Sequence, residues 1–205
     1  HPTPLPHAHV VTSTTQKSLR GPRGGFILCD EDLARKVDFG VFPFTQGGPM
    51  MHAIAAKAVC FGEAQKPEFA RYASDVVNNC QTLSSELSEA GFRLVSGGSD
   101  NHLVLVDLTS MDITGQQAEA ALEKAGIIAN KNAIPYDPKP PRVTSGLRLG
   151  TPAITSRGFN EQAIKQVARL IVTVLSDLDD QAIQQKAADE VKELASSFPV
   201  PGLDL

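Results

Sequence analysis

The apolar residues between positions 69 and 87 recur every three or four residues, and this spacing constrains the fold more than any other feature of the chain. The run consists of Phe69, Tyr72, Val76, Cys80, Leu83 and Leu87. Residues at that spacing share one face of an α-helix, and Gly91 then offers a left-handed stop. The sequence therefore predicts a long amphipathic helix that separates an earlier from a later part of the chain.

The earlier part combines short strands with a strongly apolar helix. Val10 begins a β-prone run, and the four apolar residues 26–29 favour a strand that is buried on both faces. Pro49 suits the first turn of a helix. The residues from Met50 to about Ala64 are apolar on nearly all sides, which is typical of a helix in a large core or a subunit interface.

The later part alternates strands and helices. Strands are predicted at residues 92–95, 102–107, 127–130 and 145–150. Thr114 and Gln117 form a capping box that opens one helix, Asn160 caps a second, and a polar helix begins at about Asp180.

These elements predict an α/β protein in three parts. Residues 1–70 belong to a layered α/β domain, residues 71–91 form the connecting helix, and residues 92–205 form a small α+β domain. The first part has too few strands to complete a sheet of its own, which indicates a piece of a longer protein.

Composition narrows the class of protein. The chain has 205 residues, of which 41% are hydrophobic, so a sizeable core is possible. Its net charge of −4 provides no positive field for nucleic acid, and no run is long enough to span a bilayer. Cys29, Cys60 and Cys80 are odd in number and lie among apolar residues, as buried reduced thiols do. We expect a cytoplasmic protein that binds neither nucleic acid nor membranes.

Lys17 lies in the most distinctive segment. It follows a run of short hydroxyl side chains at residues 12–15 and precedes a glycine-rich turn at residues 21–25. Hydroxyls can donate hydrogen bonds to a phosphate, and glycines let the backbone approach a ligand closely. The positive charges of Arg20 and Arg23 favour the uncharged amine that a Schiff base requires. The alternative is an ordinary loop lysine beside a polar strand end.

Arg148 stands inside the apolar strand predicted at residues 145–150. A buried guanidinium needs an anion, because a lone buried charge is costly. A substrate carboxylate can supply that anion in bidentate geometry. An internal partner such as Asp107 or Asp137 is an equal alternative on the residues alone.

Two weaker patterns complete the candidate residues. Gly47 and Gly48 precede a predicted helix, which is typical of a turn and also of an anion site at a helix N-terminus. His7 and His9 alternate, but no third ligand accompanies them, so we predict no metal site.

Several segments resemble one known family. Residues 12–25, Thr-Ser-Thr-Thr-Gln-Lys-Ser-Leu-Arg-Gly-Pro-Arg-Gly-Gly, closely resemble the cofactor-lysine segment of the serine hydroxymethyltransferases, which are fold-type I pyridoxal 5′-phosphate enzymes. The resemblance continues, in the family's order, through residues 41–43, 46–49, 96–102, 130–132 and 144–153. It implies the second half of such an enzyme: the C-terminal part of the large domain and the small C-terminal domain.

The resemblance implies cofactor-binding roles for five residues. Lys17 matches the lysine that binds pyridoxal 5′-phosphate covalently, and Thr14 matches a threonine beside the cofactor. Arg23 matches an arginine next to the cofactor at the subunit boundary. Gly47 and Gly48 match glycines that the neighbouring subunit presents to the cofactor phosphate. We therefore expect a homodimer or tetramer with shared active sites.

Further residues match the substrate and folate sites. Arg148 matches the arginine that binds the amino-acid carboxylate, and Asn132 matches a residue that contacts the pteridine of tetrahydrofolate. Pro140, Pro141 and Arg142 lie where the family has a folate-contacting tripeptide. That tripeptide commonly contains Ser and Phe, so an apolar contact to the folate rings is replaced or lost here.

Gln16 also departs from the family, which usually has His directly before the cofactor lysine. Glutamine can form hydrogen bonds but does not titrate near neutral pH. We therefore expect Gln16 to influence substrate specificity.

The activity implied is the reversible transfer of the hydroxymethyl carbon of L-serine to tetrahydrofolate, which gives glycine and 5,10-methylenetetrahydrofolate. In the family, the groups that pair with the ring nitrogen, stack on the ring and act in acid–base catalysis precede the segment that matches this chain. We therefore expect these 205 residues alone to be inactive. The alternatives are a catalytically silent structural piece and a folate-independent fold-type I lyase such as threonine aldolase.

Overall fold

The computed structural model describes residues 2–203 and divides the chain into two compact units. The first unit ends at Arg71 and the second begins at Tyr72, inside the long helix that the sequence predicts. The predicted domain limits at residues 1 and 205 lie outside the described residues. The mixture of helices and strands confirms the predicted α/β class.

The first unit is a β-hairpin followed by helices. Its elements in chain order are a 3₁₀ turn at Leu5–His7, β1 at Val10–Thr14, β2 at Gly25–Cys29, α1 at Glu31–Phe39, a kinked segment at Gly40–Thr45, α2 at Met51–Ala64 and the start of α3 at Pro67–Glu89. β1 and β2 are antiparallel, with Val10 opposite Cys29 and Thr14 opposite Gly25. Residues 15–24 form the hairpin loop, which contains Lys17.

Two predictions about burial in this unit are wrong. The sequence predicts that β2 is buried on both faces, but Ile27 and Leu28 are 42% and 45% exposed. It also predicts a buried Cys29 thiol, but Cys29 is only half-buried. For α2 it predicts a large core or a subunit interface. Cys60 is the one buried apolar side chain among the described residues of this unit, so no core surrounds α2 here and the interface stays a prediction. The physical reason is that a two-stranded hairpin supplies no second layer to cover its apolar side chains.

The second unit has a four-stranded sheet covered by helices on one side. Its elements are the rest of α3, β3 at Arg93–Leu94, β4 at Leu103–Asp107, α4 at Gly115–Lys124, β5 at Asn130–Asn132, β6 at Gly146–Gly150, α5 at Pro152–Ser156, α6 at Glu161–Ser176 and α7 at Gln181–Ser196. The strand order is β3-β4-β6-β5, and each neighbouring pair is antiparallel.

The core of this unit lies between one face of the sheet and the helices. Val104 and Val106 of β4 lie opposite Leu149 and Leu147 of β6, and all four side chains are buried. The predicted stripe of α3 is buried from Tyr72 onwards and joins this core from Cys80, which confirms the amphipathic helix. The helices contribute Leu83, Leu87, Ala118, Leu122, Ile164, Ala168, Ile171 and Val174.

Local hydrogen bonds confirm where two helices begin. The Thr114 side chain accepts from the backbone N–H of Gln117, and the backbone N–H of Thr114 donates to Gln117 Oε1. Asn160 accepts from the backbone N–H of Ala163 at the start of α6. Each side chain satisfies a donor that the first turn of a helix leaves unpaired.

The strand predicted at residues 127–130 is shifted toward the C-terminus. Gly126 has a φ of +81° after α4, and Ile127 donates its backbone N–H to the carbonyl of Leu122. That bond closes the end of α4 and removes Ile127 from the sheet ladder. Pairing with β6 therefore begins only at Asn130, which lies opposite Arg148.

Residues 2–203 contain neither a helix that could cross a membrane nor a disulfide. No helix there is both long and apolar enough to cross a membrane. Cys29, Cys60 and Cys80 are free, and burial raises the pKa of the Cys80 thiol.

Candidate functional site

Thr15 closes the hairpin loop that carries Lys17. It is fully buried, and its hydroxyl donates to the carbonyl of Pro22 at 2.6 Å. Its backbone N–H donates to the carbonyl of Gly24, and its carbonyl accepts from the N–H of Gly21. One residue therefore joins both limbs of the loop and gives residues 15–24 a defined shape.

Within this loop, Lys17 is presented outward. Its side chain is exposed, and the hydrogen bonds and ion pairs of the described residues include none from its amine. Gln16 points the other way, since its Oε1 accepts from the backbone N–H of Gly24 at 3.2 Å. Gln16 thus stabilises the loop, while Lys17 leaves a primary amine open to a reactant.

The loop rests on helix α2. The Cys60 thiol donates to the carbonyl of Leu19 at 3.2 Å, and the Lys57 amine donates to the carbonyl of Gly25 at 2.8 Å. Gly21 approaches this helix so closely that a Cβ there would lie 2.6 Å from the Cys60 sulfur. Glycine at position 21 is therefore required by close packing, independently of any ligand.

The other predicted cofactor residues of this unit are also accessible. Thr14 is half-buried at the end of β1, and Arg23 is exposed in the loop. Gly47 and Gly48 are exposed before α2, and a Cβ built at either would meet nothing within 4 Å. Crowding within the chain therefore does not demand glycine at 47 or 48, and both leave open backbone that an external group can approach.

Arg148 lies at the centre of the sheet face that the helices do not cover. It is opposite Leu105 of β4 and Asn130 of β5. The sequence predicts a buried guanidinium, and this is wrong, because strand alternation turns Arg148 away from its buried neighbours Leu147 and Leu149. Its side chain is exposed, so the guanidinium has no burial cost that an anion would have to offset.

Asn130 is the residue that contacts Arg148, and the sequence analysis missed it. Arg148 Nη2 donates to Asn130 Oδ1 at 3.3 Å. Within the described residues, no carboxylate forms an ion pair with Arg148. A neutral amide orients the guanidinium without cancelling its charge, so the remaining N–H groups can bind an external anion.

Neither internal alternative for Arg148 is realised. Asp107 is buried and pairs with Arg93, and it also accepts from the backbone and hydroxyl of Thr109. Asp137 accepts its hydrogen bonds from its own loop. Both carboxylates are therefore satisfied elsewhere.

Asn132 shares the open sheet face with Arg148. It lies two residues after Asn130 on β5, opposite Gly146 of β6, so alternation places both asparagines on the same side. On the opposite side, Lys131 holds β5 to α4 through its amine, which donates to Glu119 at 2.5 Å. That hydrogen bond from Lys131 is the main cause that lowers the pKa of Glu119.

The predicted folate tripeptide lies in the loop that connects β5 to β6. Pro140, Pro141 and Arg142 are all exposed. The carbonyl of Pro140 accepts from the N–H groups of Val143 and Thr144, which makes a tight turn. The tripeptide is thus presented on an ordered turn.

The two groups of candidate residues lie in different units. In the first unit, Thr14, Gln16, Lys17 and Arg23 share one hairpin, while Gly47 and Gly48 precede α2. In the second unit, β5 and β6 bring Asn132 and Arg148 onto one sheet face. The sequence signal for Asn130 is its spacing of two from Asn132 in a strand, and the signal for Asp137 is the turn-forming dipeptide Asp137-Pro138.

Comparison with known proteins identifies the family. The family model for serine hydroxymethyltransferase matches residues 1–171. The chain is also 54% identical, over 207 aligned residues, to the serine hydroxymethyltransferase of Methylobacterium sp. (strain 4-46). That alignment covers 98% of this chain and 48% of the relative, so the chain spans about half the length of the curated protein it matches. Because the family model matches most of its length, this chain belongs to the serine hydroxymethyltransferase family.

Proposed function

We propose that the full-length protein is a serine hydroxymethyltransferase. It converts L-serine and tetrahydrofolate reversibly into glycine, 5,10-methylenetetrahydrofolate and water. The observation that carries this proposal is the exposed amine of Lys17, which no described group engages, on a hairpin loop whose shape Thr15 holds. Family membership and the uncompensated guanidinium of Arg148 support it further.

The residues of the hairpin unit fit pyridoxal 5′-phosphate. Lys17 offers the amine for covalent attachment to the aldehyde. Thr14 and Arg23 offer a hydroxyl and a positive charge beside it, and Gly47 and Gly48 offer open backbone N–H groups that suit the phosphate of a cofactor. When bound, the cofactor supplies the electron sink for cleavage of the bond between the α- and β-carbons of serine.

The residues of the sheet unit fit the substrate and co-substrate. Arg148 binds the carboxylate of serine through N–H groups that Asn130 leaves free, and this holds the substrate in one orientation. Asn132 offers an amide to the pteridine of tetrahydrofolate. The exposed turn of Pro140, Pro141 and Arg142 contacts the same co-substrate. Gln16 contributes through loop shape, and no proton-transfer step is assigned to it.

We also propose an oligomeric state and a cellular location for the enzyme. Arg23, Gly47 and Gly48 serve an active site shared between subunits of a homodimer or tetramer. The exposed apolar side chains of α2, Met51, Ile54 and Val59, support such an association. The three free thiols support a cytoplasmic location. For the 205 residues alone we expect no turnover, because the resemblance implies that the ring-pairing, ring-stacking and acid–base groups precede the segment that matches this chain.

Covalent labelling of Lys17 tests the cofactor assignment. The full-length protein is incubated with pyridoxal 5′-phosphate and reduced with borohydride, and its peptides are analysed by mass spectrometry. We expect the label on Lys17 and its loss in Lys17→Ala. Lys66→Ala, which removes an exposed lysine between α2 and α3, should keep the label on Lys17. A label that persists elsewhere at full yield in Lys17→Ala contradicts the assignment.

Kinetics of the same variants test the reaction. We expect Lys17→Ala to lower kcat by about three orders of magnitude or more, because it removes the covalent anchor of the cofactor. Serine cleavage by the unmodified protein should depend on tetrahydrofolate. Rapid cleavage of serine without folate would instead favour a lyase of the threonine aldolase type.

A further inference from the structure

We propose that Asp137 is a positioning residue for folate binding, because its carboxylate holds the loop of residues 134–145 in the shape that presents Pro140, Pro141 and Arg142. The inference rests on the proposed function, which assigns this tripeptide to tetrahydrofolate. Asp137 itself is not expected to touch the folate.

The carboxylate of Asp137 joins both ends of this loop. Its Oδ2 accepts from the backbone N–H of Ile134 at 3.1 Å and from that of Ser145 at 2.8 Å. Its Oδ1 accepts from the N–H of Lys139 at 2.9 Å and from the hydroxyl of Ser145 at 2.7 Å. Four donors thus converge on one side chain, two of them from the residue that leads into β6.

These bonds require the charged form of the carboxylate. Burial raises the pKa of Asp137, but the hydrogen bonds from Lys139, Ser145 and Ile134 outweigh it and lower this pKa to about 2. Asp137 forms no ion pair with any described cation. The negative charge is therefore stabilised by hydrogen-bond donors of the loop itself, which makes loop shape and charge interdependent.

The far limb of the loop is attached to α4. The carbonyls of Thr144 and Val143 accept from the N–H groups of Gly115 and Gln116, two donors of the first helical turn. Thr144 adopts a φ of +56°, and a Cβ at Gly115 would lie 2.3 Å from the Thr144 hydroxyl oxygen. This limb is therefore fixed to the first turn of α4.

The tripeptide lies between these two attachments. Its three side chains are exposed, and the turn is closed by the Pro140 carbonyl alone. Loss of the Asp137 carboxylate would therefore remove the bonds that tie residues 134–139 to Ser145, while α4 still holds Val143 and Thr144. The tripeptide would remain attached but would lose its orientation, which reduces preorganisation for a bound ring system.

The test compares Asp137→Asn with Ser145→Ala in the full-length protein. The asparagine keeps the size of the side chain, but its NH₂ group cannot accept the two bonds made by Oδ2. Ser145→Ala removes one donor and leaves the carboxylate in place. Asp112→Asn, in which the same change is made at an exposed residue before α4, is the matched control.

We expect a split between the two substrates. Asp137→Asn should raise the KM for tetrahydrofolate about tenfold and Ser145→Ala about two- to threefold, with the KM for serine within about twofold in both. A purely structural defect would lower kcat or raise both KM values together. Equal KM values for tetrahydrofolate in Asp137→Asn and Asp112→Asn would overturn the proposal.

Hydrogen exchange separates failure of this inference from failure of the proposed function. The amides of Ile134, Lys139 and Ser145 should exchange faster in Asp137→Asn whether or not the protein uses folate. Faster exchange with an unchanged KM for tetrahydrofolate rejects the positioning role. Absence of any tetrahydrofolate dependence in the unmodified protein rejects the proposed function. Unchanged exchange in Asp137→Asn shows instead that the carboxylate does not hold the loop.

Discussion

The two units of this chain differ in how completely they bury their own apolar residues. The second unit encloses a core that includes Leu87, Val106, Leu122, Leu147 and Ile164, each at most 1% exposed. The first unit has comparable apolar residues in β2 and α2, but most of them are exposed, and Cys60 is the one apolar side chain buried among its described residues. Similar hydrophobicity along the chain therefore gives different burial.

The comparison extends to the helix ends. In the second unit, Thr114, Asn160 and Asp180 each cap a helix with a side-chain hydrogen bond. In the first unit, Asp30 and Met50 precede α1 and α2 without one. The second unit thus encloses a core and caps three of its helices with side chains, whereas the first leaves most of its apolar side chains exposed.

The largest effect should come from the core of the second unit. Leu147→Ala in β6 should lower the free energy of unfolding of the 205-residue chain by about 2–5 kcal/mol, because a fully buried leucine is replaced by a cavity. Ile27→Ala in β2, at a residue 42% exposed, should cost no more than about 0.5 kcal/mol. Urea unfolding followed by circular dichroism measures both, and equal losses would contradict the difference between the units.

A second prediction concerns the orientation of Arg148 by the sheet of the second unit. Asn130→Asp places a carboxylate beside the guanidinium, where it competes with the carboxylate of serine. We expect the KM for serine in the full-length protein to rise about tenfold with a smaller change in kcat.

The control for this prediction is Asn78→Asp, which makes the same chemical change at an exposed residue of α3. Steady-state kinetics at varied serine concentration should leave its KM unaltered. If Asn130→Asp also leaves that KM unaltered, Arg148 does not bind the substrate carboxylate.

The smallest effect should come from the helix caps. Thr114→Ala removes the hydroxyl that accepts from the backbone N–H of Gln117, while the backbone N–H of residue 114 can still donate to Gln117. It should lower the free energy of unfolding by about 1 kcal/mol. Asp30→Ala should change it by less than about 0.5 kcal/mol, because Asp30 makes no cap bond and its contact with His9 is exposed. Urea unfolding measures both losses. A larger loss in Asp30→Ala than in Thr114→Ala would contradict the difference in helix capping between the units.

Local patterns were the part of the fold that the sequence could predict. The stripe from Tyr72 to Leu87 predicted α3, and Thr114 and Asn160 predicted the starts of α4 and α6. These signals succeed because the interacting groups are three or four residues apart. The motif around Lys17 also predicted the loop between two strands.

Burial and side-chain partners could not be predicted in this way. The sequence alone determined most of the helices and strands, because spacing and capping act between near neighbours. It did not predict α1 or α5, and it placed β5 too early in the chain. Only the tertiary structure decided that Arg148 faces away from the core beside Asn130, that Asp137 closes its loop onto Ser145, and that Ile27 stays exposed. These outcomes depend on strand register and on whether a second layer exists, and both join residues that are distant along the chain.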